Sequence, residues 1–188
     1  MKVEASFVRS AASAADLPRD GLPEIALVGR SNVGKSSLIN ALLRQRIART
    51  SAAPGKTRLA NLYRVRRGGN APFYLVDLPG YGFARGATSP FAGIAEMVFE
   101  RSPNALLLVD ARHPGLDADR EAWQWLNRVV PNAAIVATKI DKLSRAERLR
   151  AMGTNDAVFE HPVLPVSATT GEGLDELWKL IDRLTNSE

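Results

Sequence analysis

Eight consecutive residues have the composition of a loop that wraps around phosphate groups. They fit the Walker A pattern in full and read Gly29-Arg30-Ser31-Asn32-Val33-Gly34-Lys35-Ser36, with Ser37 directly after them. Its glycines allow a tight turn whose backbone N–H groups point inward at phosphate oxygens. The lysine of this pattern reaches the β- and γ-phosphates of a nucleotide, and its serine hydroxyl binds Mg²⁺. We therefore predict a nucleotide phosphate site over residues 29–37, with Lys35 as a catalytic residue and Ser36 as a metal ligand.

A carboxylate at the end of an apolar run offers a second anchor for the same ligand. Asp77 follows Phe73–Val76, and an unpaired carboxylate at the end of a buried strand is costly. Beside bound phosphates it can hold Mg²⁺ through water, and the N–H of Gly80 can approach a γ-phosphate. Alone, such an aspartate is more often a turn cap. Beside a complete Walker A loop, we predict nucleotide contacts from Asp77-Leu78-Pro79-Gly80, with Asp77 as a metal ligand and Gly80 as a catalytic residue.

Two further motifs are suited to recognising a guanine base. The carboxylate of Asp141 can accept hydrogen bonds from guanine N1–H and the 2-amino group, a donor pair that adenine lacks. The stem of Lys139 can lie along the base plane, and the backbone N–H of Ala168 can donate to guanine O6. For each motif taken alone, the alternative is a polar loop between a strand and a helix, and for Ser167-Ala168-Thr169 alone that alternative would be favoured. Together with the phosphate motifs they predict a base site formed by Thr138-Lys139-Ile140-Asp141 and Ser167-Ala168-Thr169.

The elements that would position these motifs are short apolar strands alternating with helices. Strands are predicted at Val3–Val8, Ile25–Val28, Leu62–Val65, Phe73–Val76, Ala105–Val109, Ala134–Ala137 and Val163–Val166. A helix is predicted over Lys35–Leu43, and a second runs to about Val129 with Asp117 as its cap. Ser144 and Glu147 form a candidate capping box, and 174–181 has the spacing of a helical face. This alternation predicts a three-layer α/β domain with a mostly parallel sheet, whose carboxyl edge binds the ligand.

The length and composition fit one globular domain. The chain has 188 residues, of which 45% are hydrophobic and 24% charged, and it has no cysteine. No apolar run is long enough to span a membrane, and acidic and basic residues interrupt any candidate leader peptide. We expect a single domain over 1–188, with residues 1–24 as an N-terminal extension or edge strand. A cytoplasmic monomer without a membrane contact is the corresponding expectation.

The positive charge is concentrated in one part of the chain. Residues 25–76 contain ten basic and no acidic residues, so this stretch carries +10, whereas the remainder, with 15 basic and 20 acidic residues, carries −5. Such asymmetry favours an anionic partner, although a solvated basic face is the alternative. We expect a nucleic acid to be that partner, at a surface that includes Arg64, Arg66 and Arg67 and lies around the nucleotide.

Taken together, the motifs resemble the EngB (YihA/YsxC) family of translation-factor-like P-loop GTPases over residues 25–180. The resemblance rests on residues 29–40, Pro54-Gly55-Lys56-Thr57, Asp77-Leu78-Pro79-Gly80-Tyr81-Gly82, 110–114 and 138–143. It implies bacterial cytosolic GTPases that assist assembly of the large ribosomal subunit and are linked to cell division and septation. The nucleic acid expected at the basic surface is therefore ribosomal RNA, and no contact with DNA is predicted. The resemblance also implies nucleotide contacts at Gly55, Lys56, Thr57, Arg58 and Leu59, with Thr57 as a catalytic residue and Mg²⁺ ligand in the GTP state.

The expected reaction is attack of water on the γ-phosphate of GTP, assisted by Mg²⁺. Many GTPases orient this water with a glutamine after the Asp-x-x-Gly motif, where this chain has Tyr81. No arginine finger can be assigned, so turnover is expected to be slow without an activator. K⁺ is a candidate cofactor because Asn32 offers a carboxamide oxygen near the phosphates, although Asn32 could equally serve only to brace the loop.

Two other functions compete with ribosome assembly. One is a regulatory switch at the division site or membrane without ribosome contact. It predicts an amphipathic or lipid-anchoring segment, and neither is recognised in the sequence. The other is an ATP-dependent small-molecule kinase, against which Asp141 argues because it favours guanine over adenine.

Overall fold

A computed structural model of the chain describes residues 1–49, 59–81 and 90–186. In this part it contains seven strands, namely β1 (Val3–Ala11), β2 (Glu24–Gly29), β3 (Ala60–Arg67), β4 (Phe73–Asp77), β5 (Asn104–Asp110), β6 (Asn132–Thr138) and β7 (Val163–Pro165). The same part contains five α-helices, namely α1 (Lys35–Leu43), α2 (Pro90–Phe99), α3 (Asp117–Val129), α4 (Arg145–Phe159) and α5 (Leu174–Thr185). Short 3₁₀ turns cover Ala14–Asp16 and Ile140–Lys142.

The strands form one mixed sheet in the order β1-β3-β4-β2-β5-β6-β7. Strands β4, β2, β5, β6 and β7 pair in parallel, while β3 pairs antiparallel with both β4 and β1. The central strands β2, β4 and β5 are buried along their whole length, which explains why they read as continuous apolar runs. The predicted α/β class with a mostly parallel sheet is confirmed.

Strand β1 lies at the edge of the sheet. Its register with β3 shifts between Phe7 and Arg9, so Val8 is an extra residue in a β-bulge. Before the bulge, Ser6 lies opposite Arg64; after it, Arg9 lies opposite Leu62. The bulge therefore places Arg9 on the same face of the sheet as Arg64, which strict alternation along β1 would not do.

Helices cover both faces of the sheet and complete three layers. One apolar cluster joins α1 and α5 to the sheet and includes Leu38, Leu42 and Trp178. The other joins α2, α3 and α4 to the opposite face and includes Val98, Trp123 and Phe159. All six side chains are buried, so the domain has a core on each side of the sheet.

Of the helix termini that the sequence predicted, those of α1 and the start of α4 are confirmed, whereas the start of α3 differs. The predicted bounds Lys35–Leu43 match α1, and Ser144 accepts a hydrogen bond from the Glu147 backbone at the start of α4. Asp117 is not the cap of α3: Leu116 occupies that position, without a side-chain cap, and Asp117 is the first helical residue. The Asp117 carboxylate instead accepts from Arg120 at 2.9 Å, one turn along the helix.

Candidate functional site

The predicted motifs meet at the carboxyl edge of the parallel strands. Gly29, Asp77 and Thr138 are the last residues of β2, β4 and β6. Because those strands run in parallel, their ends lie at the same edge of the sheet, where open α/β sheets bind ligands. The edge thus brings together side chains that are up to about one hundred residues apart in sequence.

The loop over residues 30–34 connects β2 directly to α1. Gly34 has φ 108°, a left-handed conformation that favours glycine, and its carbonyl accepts the first helical bond from Leu38 at 2.8 Å. Asn32 also has a positive φ of 64°. The loop therefore ends at a helix N-terminus, where free backbone N–H groups favour an anion.

The ammonium group of Lys35 lies at the base of this loop. Lys35 is buried, and its Nζ donates to the carbonyl of Gly29 at 3.2 Å. Burial lowers the pKa of Lys35, and the charge of Asp77 partly counteracts that effect. A buried cation held by one backbone carbonyl is well suited to pair with the phosphates of a nucleotide.

Asp77 and Gly80 lie next to the loop. Burial raises the pKa of the Asp77 carboxyl to about 6, although the nearby Lys35 charge lowers it. A side chain at Gly80 would lie 2.6 Å from the backbone nitrogen of Ser31, so only glycine allows this close approach. The segment after β4 is therefore packed directly against the phosphate loop.

The donor set fits a magnesium ion that is held partly by a nucleotide. The Oδ1 atom of Asp77 is buried and accepts no hydrogen bond from the described residues, as expected for an oxygen that meets a cation. Within residues 1–49, 59–81 and 90–186, no cluster of three or more histidine or acidic side chains could hold a metal alone. Magnesium commonly takes one or two carboxylates and completes its shell with phosphates and water.

The predicted base motifs are joined to one another by hydrogen bonds. The Ser167 hydroxyl donates to Asp141 Oδ1 at 2.7 Å and accepts from the backbone of Thr169 at 3.2 Å. This bond from Ser167, more than any other contact, holds the pKa of Asp141 below its usual range. Ser167 thus orients the carboxylate and also shapes the turn that contains Ala168.

Lys139 is anchored by a residue whose role the sequence did not reveal. Its Nζ donates to Asp110 Oδ2 at 2.8 Å and to the carbonyl of Asn32 at 2.5 Å. Asp110 also accepts from Arg112 at 2.7 Å, and although burial opposes it, these bonds hold the pKa of Asp110 well below its usual range. Both ends of the Lys139 side chain are fixed, so its stem has one defined course between the base motif and the phosphate loop.

Thr138 braces the phosphate loop from the other side. Its buried hydroxyl donates to the carbonyl of Val33 at 2.6 Å. The predicted base contact of Thr138 remains a prediction, but its side chain is already engaged within the protein. The end of β6, which belongs to the predicted base site, therefore also supports the phosphate loop.

A cavity of about 660 Å³ adjoins Ala168. Its other walls come from α1 and the turn after it, and they are Ser37, Asn40, Ala41, Arg44, Gln45, Arg46 and Ala48. Asn40 builds this turn, because its side chain bonds to the backbones of Ile47 and Ala48 at 2.8–2.9 Å. The cavity places open space beside the predicted contact to guanine O6.

Some predicted contacts lie outside the described residues. These are Gly55, Lys56, Thr57 and Arg58, whose assignments stay predictions. Leu59 is among the residues that the structure describes; it directly precedes β3 and is 38% exposed.

Arg30 makes a contact that its place in the loop did not predict. Its Nε donates at 3.0 Å to Asp119 Oδ1 on α3, and Tyr81 donates its hydroxyl to the same oxygen at 2.7 Å. Asp119 lies 89 residues from Arg30, so local spacing carried no signal for the pair.

Comparisons with known proteins agree on one family. Residues 24–139 match the family model described as 50S ribosome-binding GTPase. The chain is 42% identical to the probable GTP-binding protein EngB of Pelotomaculum thermopropionicum, over 97% of this chain and 96% of that protein. It is 43% identical to the corresponding protein of Chlorobaculum parvum, over 95% of each.

Solved structures share the fold. An Era variant from Aquifex aeolicus bound to GDP.AlF4- aligns with a TM-score of 0.78 at 27% identity, over 89% of this chain and 58% of that one. A probable GTP-binding protein engB aligns with a TM-score of 0.64 over 88% of this chain and 100% of that one, at 24% identity. With the site geometry and the full-length relatives, these likenesses show that the chain belongs to the EngB family of GTP-binding proteins, which are P-loop GTPases.

Proposed function

We propose that this protein hydrolyses GTP to GDP and phosphate with Mg²⁺, slowly unless activated, and acts as a switch in assembly of the large ribosomal subunit. We further propose that it works as a single-domain monomer in the cytoplasm and is needed for normal division and septation. The observation that supports the hydrolytic part is that Lys35 and Asp77 are buried beside each other at the carboxyl edge of the sheet, the edge at which Asp141 also follows β6.

The chain's own groups define how the reaction would proceed. Lys35 and the backbone N–H groups of residues 30–34 offset negative charge on the phosphates as water attacks in line. The N–H of Gly80 is close enough to the phosphate loop to contribute there. Asp141, oriented by Ser167, selects guanine, while Lys139 borders the base plane.

Magnesium would be held by Ser36, Asp77 and, in the GTP state, Thr57, and it would supply positive charge at the phosphate oxygens. The unpartnered Oδ1 of Asp77 supports this assignment. A related Era structure contains MgGDPNP, which supports a magnesium nucleotide as the ligand here.

The need for an activating partner follows from Tyr81, which stands where many GTPases have the glutamine that orients the attacking water. Tyr81 follows Gly80 and has no carboxamide, and its hydroxyl is bonded to Asp119. No arginine within the described residues is assigned to the γ-phosphate. A partner or a monovalent cation such as K⁺ would then complete the site, so intrinsic turnover is slow.

An RNA partner is supported by two findings. The matching family model is described as 50S ribosome-binding, and the related Era structure holds a segment of 16S ribosomal RNA. On this chain, five arginines between residues 25 and 76, the stretch without acidic residues, are exposed and form no ion pair with a described residue; they are Arg44, Arg46, Arg49, Arg64 and Arg66. Exposed arginines at a surface are suited to phosphate backbones, although Glu4 lies opposite Arg66 across β1 and β3.

The surface differs from the expected one in two respects. Arg67 lies on the opposite face from Arg64 and Arg66. There its guanidinium nitrogen lies 2.7 Å from Asp182 Oδ2, and its guanidinium carbon lies 4.9 Å from the centroid of the Trp178 ring. In addition, Arg64 and Arg66 do not surround the nucleotide. Asn61 at the other end of β3 lies opposite Asp77, and Arg64 lies opposite Tyr74, so the arginines lie toward the far end of the sheet.

The direct test is sedimentation of a cell lysate with GTP, GDP or no nucleotide, followed by detection of the protein in each fraction. We expect it to move with 50S or pre-50S particles in GTP and to be released in GDP. Migration with 30S particles would contradict the large-subunit assignment. Migration with membranes would favour the alternative switch at the division site; within the described residues, every helix is too short or too polar to cross a bilayer.

Two charge reversals locate the RNA surface. Arg64→Glu with Arg66→Glu should weaken particle binding and flatten its salt dependence, while GDP affinity changes little. A matched control reverses two exposed arginines on helices, Arg128→Glu with Arg150→Glu. Particle binding that is unchanged in the β3 variant, or lost equally in the control, would move the RNA surface elsewhere.

A further inference from the structure

Three separate elements meet at one buried carboxylate near the phosphate site. Asp119 is the third residue of α3, and its side chain is 1% exposed. Its Oδ1 accepts from the Tyr81 hydroxyl at 2.7 Å and from Arg30 Nε at 3.0 Å. Arg30 belongs to the phosphate loop and Tyr81 directly follows Gly80, so the carboxylate joins both to α3.

Backbone contacts reinforce the same junction. The Tyr81 N–H donates to the carbonyl of Gly29 at 3.3 Å, and Tyr81 forms an isolated parallel bridge with Arg30. Gly80 meanwhile packs against Ser31 so closely that a Cβ would clash. Tyr81 is thus fixed through both its backbone and its side chain, and it sets the position of the neighbouring Gly80 N–H.

The surroundings of the Asp119 carboxylate determine what the loss of one contact would cost. Asp119 lies in the first turn of α3, where the helix N-terminus stabilises a carboxylate. Its other oxygen, Oδ2, is buried and accepts no hydrogen bond from the described residues. Oδ1 therefore depends on Tyr81 and Arg30, and losing either donor would leave a buried carboxylate undersatisfied.

We propose that Asp119 is a positioning residue for GTP hydrolysis, holding Tyr81 so that Gly80 stays against the phosphate loop. This proposal rests on the proposed hydrolysis of GTP, and it makes α3 part of the machinery that responds to the γ-phosphate. A partner that moves α3 would change the rate through Tyr81 without touching the nucleotide.

The test uses Tyr81→Phe, which removes one hydroxyl and keeps the ring. We expect kcat for GTP hydrolysis to fall about tenfold, with KM and GDP affinity within about twofold of wild type. The matched control is Tyr74→Phe, since Tyr74 also donates its hydroxyl to an aspartate, Asp20, at 2.8 Å. Tyr74 pairs with Glu24 at the opposite end of β2, so its loss should leave kcat unchanged.

A double-mutant cycle with Asp119→Asn shows whether the two residues act together. If they act through the shared bond, Tyr81→Phe with Asp119→Asn should be no slower than the slower single variant. Unchanged kcat in Tyr81→Phe, multiplicative losses in the double variant, or equal losses of GTP and GDP affinity would each overturn the proposal. A wild-type protein that does not hydrolyse GTP would instead contradict the proposed function, and thermal melting of each variant identifies any that fail to fold.

Discussion

The buried ammonium of Lys35 and the buried carboxylate of Asp77 attract each other, yet burial outweighs that attraction for both groups. It lowers the pKa of Lys35 and raises that of Asp77 to about 6. Each charge is therefore held in an unfavourable place until another charge arrives. Phosphate for Lys35 and a divalent cation for Asp77 are the partners that would relieve this cost.

This relationship predicts a pH dependence of stability in protein without nucleotide or metal. The pKa of Asp77 lies above its ordinary value of 3.8, so its stabilising contribution is complete below about pH 3.8 and is lost as pH rises to about 6. The free energy of unfolding of the wild type, relative to Asp77→Asn, should fall by on the order of 3 kcal/mol between pH 4 and 7. Urea unfolding across this range measures the difference.

A control variant separates the effect from the mere loss of a carboxylate. Asp175→Asn removes an exposed acid from the first turn of α5. The fall of about 3 kcal/mol between pH 4 and 7 should not appear with this variant, because an exposed carboxylate is not taken out of water on folding. A constant or rising difference for Asp77→Asn would show that Asp77 is not the group that takes up the proton.

Base specificity should depend on Asp141. Asp141→Asn loses a charge-assisted contact with two guanine donors, which should weaken GDP binding by about 2–4 kcal/mol and improve binding of XDP, whose 2-oxo group accepts from the new amide. Calorimetry with both nucleotides measures the exchange. Ser167→Ala, which removes the bond that orients Asp141, should weaken GDP without favouring XDP. Unchanged GDP affinity in Asp141→Asn would refute the base-site assignment.

The two predicted hydroxyl ligands should respond differently to nucleotide state. Ser36→Ala should weaken Mg²⁺-dependent binding of both GDP and GTP, because Ser36 belongs to the phosphate loop. Thr57→Ala should spare GDP and weaken only GTP, because its predicted role requires the γ-phosphate. Titration with fluorescent GDP and a non-hydrolysable GTP analogue, with and without Mg²⁺, distinguishes them. Equal losses for both nucleotides in Thr57→Ala would contradict its assigned role.

Potassium should accelerate hydrolysis if Asn32 holds a monovalent cation. The Asn32 side chain is exposed, and its backbone carbonyl, not its carboxamide, accepts from Lys139. We expect faster turnover in KCl than in NaCl at equal ionic strength. Asn32→Ala should remove the difference while GDP binding remains.

The conformation of Asn32 dictates a second variant for the potassium test. Its φ of 64° is strained for alanine, so Asn32→Gly removes the carboxamide without that strain. Both variants should lose the K⁺ effect equally. Identical wild-type rates in the two salts, with and without ribosomal particles, would mean that Asn32 only braces the loop.

Local spacing determined the elements and the order of the motifs. The bounds of α1 and the positions of all seven strands follow from apolar runs, from the apolar–polar alternation at Val3–Val8 and from the turn residues between them. Periodicity and caps act within a few residues, so the sequence carries them locally. Helix α2 was not predicted, since Pro90 and Gly93 within its short sequence also suit a loop. Residue types alone indicated a guanine-nucleotide site, because that ligand needs particular donors at particular strand ends.

Tertiary packing decided which side chains meet at the site and which surface remains free. Arg30 pairs with Asp119 across 89 residues, and Arg67 with Asp182 across 115, so neither contact has a local signature. The sequence also did not reveal on which face of the sheet each arginine lies. A bulge at Val8 and the register of β3 place Arg9 on the same face as Arg64, while Arg67 lies on the other face. Charge counts predict that an anionic partner is favoured. Which charges are already paired within the protein is determined only by strand register and helix packing, because ion pairs depend on contacts between distant parts of the chain.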